Sequence, residues 1–276
     1  MDFNRYFQLI EEGKTEEAID YRVQETPKYI YKYVSLTDPD NDSSGLNEKK
    51  LFSLKGNTIW CSPSSDQNDP FEFKGLYLDY EKLRADYPQE LVDYAKQILE
   101  NTFLIASFTK QMESNMPMWA HYANNHKGYC IRYLVTDRRK VIPVAYQPQR
   151  IPMNDFFRQA VKIMQEMNPD GTDQDVRTDD GWKEEYILSV LKENFFIKHD
   201  SWKQEEEFRV IYSPPAQDKL RGQNVSADEL GIKIDSIYTG LNCQYHDRIK
   251  GIAQQLKVPC NQCSIDRHLY SVFSEQ

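Results

Sequence analysis

Apolar residues in this chain recur at helical spacing at its start and alternate at strand spacing afterwards. Phe3, Tyr6, Phe7 and Ile10, then Ala18, Ile19 and Val23, flank Gly13-Lys14-Thr15, which predicts two short amphipathic helices within residues 2–24. Pro27 ends them, and Tyr29–Leu36 (YIYKYVSL) carries the aromatic and branched residues of a strand. The polar stretch Thr37–Gly45 reads as a loop, Leu46–Lys55 as a short helix, and Thr58–Ser62 as a second strand stopped by Pro63.

Asn68-Asp69-Pro70-Phe71-Glu72 has the chemistry of a turn, because Asn and Asp bond their own backbone and Pro presets φ. Its structural reading is a capped turn; its functional reading is a loop carrying Asn68, Asp69 and Glu72 into a cleft. Helices are expected over Tyr80–Tyr87 and Pro88–Asn101. Core strands are expected at Phe103–Phe108 and Gly128–Val135, with a short helix at Met118–Ala123 between them. Val141–Tyr146 is a further strand candidate, residues 166–185 an acidic loop, and Glu184–Phe196 a helix. Near the C-terminus Ile232–Tyr238 alternates like a strand, Asp247–Leu256 is helical, and a last strand falls near His268–Phe273. Strands interspersed irregularly with helices predict an α+β fold: a mixed, mainly antiparallel sheet core with peripheral helices. Residues 1–26 form an N-terminal helical extension to a single α+β domain over 27–276.

The segment Trp202–Tyr212 (WKQEEEFRVIY) places charge at alternate positions of an apparent strand. Glu205, Glu207 and Arg209 then share one face, while Glu206, Phe208 and Val210 share the other. Paired carboxylates and an arginine on a rigid strand suit a catalytic or binding edge, and equally a cross-strand ion-pair network. Lys198 and Trp202 lie four apart and meet on one face if a helical turn joins them, with the ammonium over the indole. His121 and Tyr122 fall on the compact turn between two strands, where His121 is a candidate acid or base and equally a structural histidine.

Composition narrows the function classes. A net charge of −9 argues against broad nucleic-acid binding. No apolar run reaches the roughly 18–20 residues of a membrane helix, and the N-terminus lacks the basic and apolar regions of a signal peptide, so the expected location is cytoplasmic. Five cysteines without an extracellular context are expected as reduced thiols. Cys260-x-x-Cys263, with Cys243 upstream and His246 or His268 as a fourth ligand, matches no usual zinc spacing, and no metal is assigned. The chain has no P-loop, dinucleotide glycine fingerprint, Gly-x-Ser-x-Gly or zinc-protease motif.

Several ordered motifs carry a resemblance. Tyr31-Lys32-Tyr33, then Trp60-Cys61-Ser62-Pro63 leading to Asn68–Glu72, then Ser107-Phe108 with Met118-Trp119-Ala120-His121-Tyr122, then Lys198 with Trp202, Glu205, Glu207, Phe208 and Arg209, resemble the bacterial family known as domain of unknown function 2971. The resemblance spans roughly residues 28–273 and leaves the first helices outside. It marks Trp119, Lys198 and Trp202 as site candidates beside the residues above, and it implies no chemistry.

The order of features is also similar to that of ADP-ribosyltransferases. In those domains an early strand holds the nicotinamide dinucleotide, a middle strand supplies Tyr or Ser, and a late strand carries a catalytic Glu, often within Glu-x-Glu. Here the positions are Tyr31-Lys32-Tyr33, Ser62 and Glu205-x-Glu207, with Lys32 or Tyr33 standing where the family has His or Arg. The resemblance implies NAD as substrate. Glu207 would stabilise the oxocarbenium-like transition state, Glu205 polarise the acceptor, Arg209 or Lys32 hold the pyrophosphate, and Tyr33, Trp60 and Tyr122 stack on a ring. Two further readings stand beside it: a non-catalytic binding or defence-associated module whose polar motifs are structural, and a metal-dependent nuclease or hydrolase using Asp69, Glu72, Glu205 and Glu207.

Overall fold

The structure is a computed structural model, and it describes residues 2–12, 14–63, 66, 76–90, 93, 103–112, 115–152, 154, 157–158, 161–162, 197–215, 221–265 and 272–274. Two helices, α1 (Phe3–Glu11) and α2 (Thr15–Val23), open the chain where the apolar spacing places them. Ala18 of α2 is fully buried. Arg22 donates to the Arg139 carbonyl at 2.9 Å, and Thr26 Oγ1 to the Val141 carbonyl at 3.3 Å, so the helical start is tied to the later part of the chain.

The strands are β1 (Tyr29–Val34), β2 (Thr58–Pro63), β3 (Leu76–Tyr77), β4 (Leu104–Thr109), β5 (Tyr129–Val135), β6 (Val141–Pro143), β7 (Ala145–Gln147), β8 (Ile151–Pro152), β9 (Ile197–His199), β10 (Glu207–Tyr212), β11 (Gln223–Ser226), β12 (Ile232–Thr239), β13 (Cys260–Ile265) and β14 (Val272–Ser274). Between them lie α3 (Leu46–Lys55), α4 (Tyr80–Asp86), α5 (Met116–Tyr122) and α6 (His246–Leu256). The central sheet has ten strands, in the order β11-β2-β4-β1-β5-β12-β13-β14, with β10 paired to β4 and β6. Only β12 and β13 run parallel within it, joined by α6 as the crossover that parallel strands require. The α+β architecture expected from the sequence is the one observed.

Both faces of this sheet are covered, which is why β1 and β5 carry apolar residues on both sides. Ile30, Phe108, Ile131, Tyr133 and Phe208 join Leu51 and Leu54 of α3 and Ile249 and Ala253 of α6 in the main core. Tyr33, Cys130 and Tyr238 pack with Met118 and Trp119 of α5 in a second cluster. Gly128 marks the tightest approach: a Cβ there would lie 1.9 Å from the Val34 carbonyl oxygen. Among the described residues no helix is long and apolar enough to cross a membrane.

One edge of β4 is divided, and this creates the cleft described below. β10 pairs with β4 along its whole length, from Glu207↔Thr109 to Tyr212↔Leu104, and so occupies one edge. On the other edge Tyr31 of β1 meets Thr109, while Ser62 and Pro63 of β2 meet Ile105 and Leu104. Between those contacts the two strands part, at Ala106–Phe108.

Several expectations change in detail. Residues 202–206 are not part of a strand. Asp200–Glu205 form a 3-10 turn, Glu206 adopts the left-handed conformation at φ 44°, and the strand begins only at Glu207. Glu205, Glu207 and Arg209 therefore do not line one strand face. Glu207–Tyr212 is strand, but Glu205 and Glu206 belong to the turn before it, which alternation alone cannot distinguish. The Val141–Tyr146 candidate divides at Val144, β6 pairing with β10 and β7 with β9. Strands β11 and β13 carry too many polar residues to have been read from apolar alternation. The predicted turn at 68–72, acidic loop at 166–185 and helix at 184–196 lie outside the described residues, as does most of the helix at 88–101.

Candidate functional site

A cleft of about 1350 Å³ opens at the divided edge of β4. Lys32 and Tyr33 of β1, Ser62 of β2, Ser107 and Phe108 of β4, Tyr122 of α5, Lys198 of β9, Trp202 and Glu205 of the 3-10 turn, and Glu207 of β10 all line it. It is larger than the roughly 300–1,000 Å³ usual for small-molecule sites, so a ligand of that class would fill only part of it. At its outer end, Phe52 of α3 is 76% exposed and Trp60 of β2 is 52% exposed.

At the inner end is a compact ionic cluster. Lys198 Nζ donates to Glu205 Oε2 at 2.6 Å and to Glu207 Oε2 at 3.0 Å, and sits 5.1 Å from the centre of the Trp202 ring. Arg209, completely buried, grips Glu207 with two donors: Nε to Oε1 at 2.7 Å and Nη2 to Oε2 at 3.1 Å. The remaining acceptor of Glu205, Oε1, takes the Tyr122 hydroxyl at 2.5 Å. Among the described residues two carboxylates balance two cations in this cluster, which offsets the cost of their burial.

Local folding explains how these groups meet. The 3-10 turn brings Trp202 back over Lys198, and the left-handed Glu206 reverses the chain so that Glu205 and Glu207 approach the same ammonium. Thr109 Oγ1 donates to the Glu205 carbonyl at 2.6 Å, Asn115 Nδ2 to the Gln204 carbonyl at 3.0 Å, and the Lys110 amide to the Glu206 carbonyl at 3.1 Å. The turn is thus held from β4 and from the start of α5. On the other side the Glu207 amide donates to the Tyr146 hydroxyl at 2.8 Å.

Protonation follows from these contacts. Burial pushes the Glu207 carboxyl upward, but Arg209 and Lys198 outweigh it and hold the pKa down at about 2. Burial, with the Glu205 carboxylate beside it, raises the Tyr122 phenol, which stays a donor. Lys32 differs from the other buried cations. Burial lowers its pKa, its Nζ donates to the Ser107 carbonyl at 3.0 Å, and it lies 5.2 Å over the Phe108 ring.

The remaining candidates are placed elsewhere. His121 is exposed on α5 and is not part of the cleft wall. Trp119 is fully buried behind the site, edge-on to Tyr33 and stacked on His126. Tyr33 offers no open ring face, since it packs in that cluster with its hydroxyl on the Met112 carbonyl. Arg209 supports Glu207 from behind and is not part of the wall. Asn68, Asp69 and Glu72 lie outside the described residues. Among the described residues no group of three or more His, Cys, Asp and Glu side chains is arranged to hold a metal ion. Sequence reasoning passed over Tyr146 and the mouth residues Lys49, Lys55 and Arg248. Nothing in their local pattern separates them from ordinary surface or sheet positions.

Part of this order of motifs has a counterpart among protein families. Residues 118–210 match the family model of a protein of unknown function, DUF2971. The DUF2971 match begins in α5 and ends in β10, and so contains Tyr122, Lys198, Trp202, Glu205, Glu207 and Arg209, the whole ionic cluster. It supports the resemblance over that segment, and Lys32 and Ser62 fall outside it. No curated protein and no solved structure matches the chain.

Proposed function

We propose that the cleft binds an anionic small molecule of the nucleotide type and that the protein acts on it at the ribose carbon, as in NAD cleavage or ADP-ribosyl transfer. The observation that carries this reading is convergence: an early strand (Lys32), a middle strand (Ser62) and the Glu205/Glu207 pair, far apart in sequence, line one cleft. Charge complements it. Among the described residues the lining cations Lys32, Lys49, Lys50, Lys55, Lys198 and Arg248 outnumber the lining carboxylates Glu48, Glu205, Glu207 and Asp247, on a chain whose net charge is −9. The exposed Trp60 and Phe52 at the mouth offer aromatic surface to a base.

Within this reading Glu205 is the better reacting carboxylate. Glu207 has a cation on each oxygen, whereas Glu205 meets one cation and one neutral hydroxyl. A carboxylate that retains more of its negative field stabilises a developing oxocarbenium ion more strongly. Glu207 then positions Lys198, which orients Glu205.

A second reading, a binding module without catalysis, rests on the neutrality of the cluster and on the bidentate Arg209–Glu207 pair, both of which suit a rigid floor. A metal-dependent hydrolase at Glu205 and Glu207 would first have to displace Lys198 from both carboxylates.

The test is incubation of purified protein with NAD, following nicotinamide release and any transfer to protein by mass spectrometry, beside NAD binding by calorimetry. Release that is abolished in Glu205→Gln supports the first reading. Binding without release supports the second, and absence of both removes the nucleotide assignment.

A further inference from the structure

We propose that Lys32 is a reactive amine that condenses with the carbonyl group of an aldehyde or ketone entering the cleft. This goes beyond the nucleotide reading and does not depend on it. The geometry is that of a lysine held uncompensated where a ligand can reach it. Lys32 stands on β1 at the parting of β1 and β2, lines the cleft, and donates to a neutral carbonyl, that of Ser107 at 3.0 Å. Its ammonium has no carboxylate within ion-pair distance among the described residues, whereas Lys198 in the same cleft has two. Beneath Nζ lies the Phe108 ring, an apolar platform.

A lysine in such a place loses its proton more readily than a surface lysine, because the hydration that the charged form gives up on burial outweighs the attraction of Glu207, which lies beyond ion-pair distance. Each unit by which a lysine pKa falls raises the free amine at neutral pH about tenfold, and only the free amine is nucleophilic. The step balances without a co-reactant. The Nζ lone pair attacks the carbonyl carbon, one amine proton passes to the former carbonyl oxygen to give a carbinolamine, and the second follows as the C–O bond breaks, so that water leaves and the C=N bond forms. The Ser107 carbonyl orients the amine through the hydrogen that it accepts.

Two probes test this on the full chain at pH 7.5: pyridoxal 5′-phosphate and propanal, each trapped with borohydride and mapped by peptide mass spectrometry. Propanal carries no phosphate and needs no anion recognition, so its result is independent of any nucleotide binding. The expected result is reduced adduct on Lys32 at least about tenfold faster than on Lys49 or Lys55, the exposed lysines nearby. Lys32→Met should lose that adduct while keeping the circular dichroism spectrum and thermal transition of the parent. If both aldehydes label Lys49 and Lys55 as fast as Lys32, or if Lys32 is unlabelled in the folded protein, the proposal is overturned.

Discussion

Tyr122 donates its hydroxyl to Glu205 Oε1, and this bond ties helix α5 to the turn that carries Glu205 into the ionic cluster. Glu205 is 5% exposed, so an acceptor left without its donor there cannot recover the loss from bulk water. Tyr122→Phe keeps the ring and removes the bond. The expected cost is about 1–3 kcal/mol of folding stability, read from urea unfolding. Within the nucleotide reading the same variant lowers nicotinamide release, since Glu205 loses its orientation.

Among the described residues Arg209 and Glu207 form the most deeply buried ion pair. Arg209→Met leaves Glu207 short of its principal partner and should cost about 3–5 kcal/mol. Combining Arg209→Met with Glu207→Gln should cost clearly less than the sum of the two single changes, because the second substitution removes the orphaned charge. Strict additivity in a double-mutant cycle would show that the pair is energetically uncoupled.

Acid should weaken the fold through Glu207. Its pKa lies at about 2 in the folded protein against an ordinary 4.5, because Arg209 and Lys198 outweigh the burial that pushes it up. A lowered folded-state value means that the unfolded chain takes up the proton first as pH falls. The contribution is therefore complete above pH 4.5 and declines as pH falls from there towards 2. Stability measured against pH should show this decline in the parent and a shallower one in Glu207→Gln.

Trp60 at the mouth separates binding from folding. The side chain is 52% exposed, so Trp60→Ala should change stability by no more than about 1 kcal/mol. A base stacked on this ring would lose about 1–3 kcal/mol of binding on the same change. Calorimetric titration with NAD, beside a thermal melt, reads both quantities.

Gly128 tests the sheet itself. A methyl group there would meet the Val34 carbonyl oxygen at 1.9 Å, and backbone cannot move aside as a flexible side chain can. Gly128→Ala should therefore cost at least about 1–3 kcal/mol as β1 and β5 are forced apart, measured by denaturant titration.

Much of the framework was legible because it rests on local periodicity. Leu46–Lys55 was expected as a helix and is one over those same residues. The strands at Tyr29, Thr58, Tyr129 and Ile232 begin within a residue of their expected starts, since branched and aromatic residues cluster there between turn formers. The contact of Lys198 with Trp202 was also foreseen, from their spacing of four. The site was only half legible. Glu205, Glu207, Lys198 and Tyr122 were named and do meet, but His121 was named with them and faces solvent. Its neighbour Tyr122, one helical step on, points inward.

Sequence by itself determined most of the described helices and the apolar strands, and which residue types could bear charge chemistry, because those follow from short-range alternation and from side-chain ionisation. Tertiary structure alone decided that the late strand starts at Glu207 and that a left-handed Glu206 turns both carboxylates onto Lys198. It also decided that β1 and β2 share one edge of β4 and part there to open the cleft. The reason is range. Edge sharing, burial of an ion pair and the lowered pKa of Lys32 depend on groups brought together from distant parts of the chain, as Lys32 and Ser107 are at a separation of 75, and no local pattern in the chain carries that information.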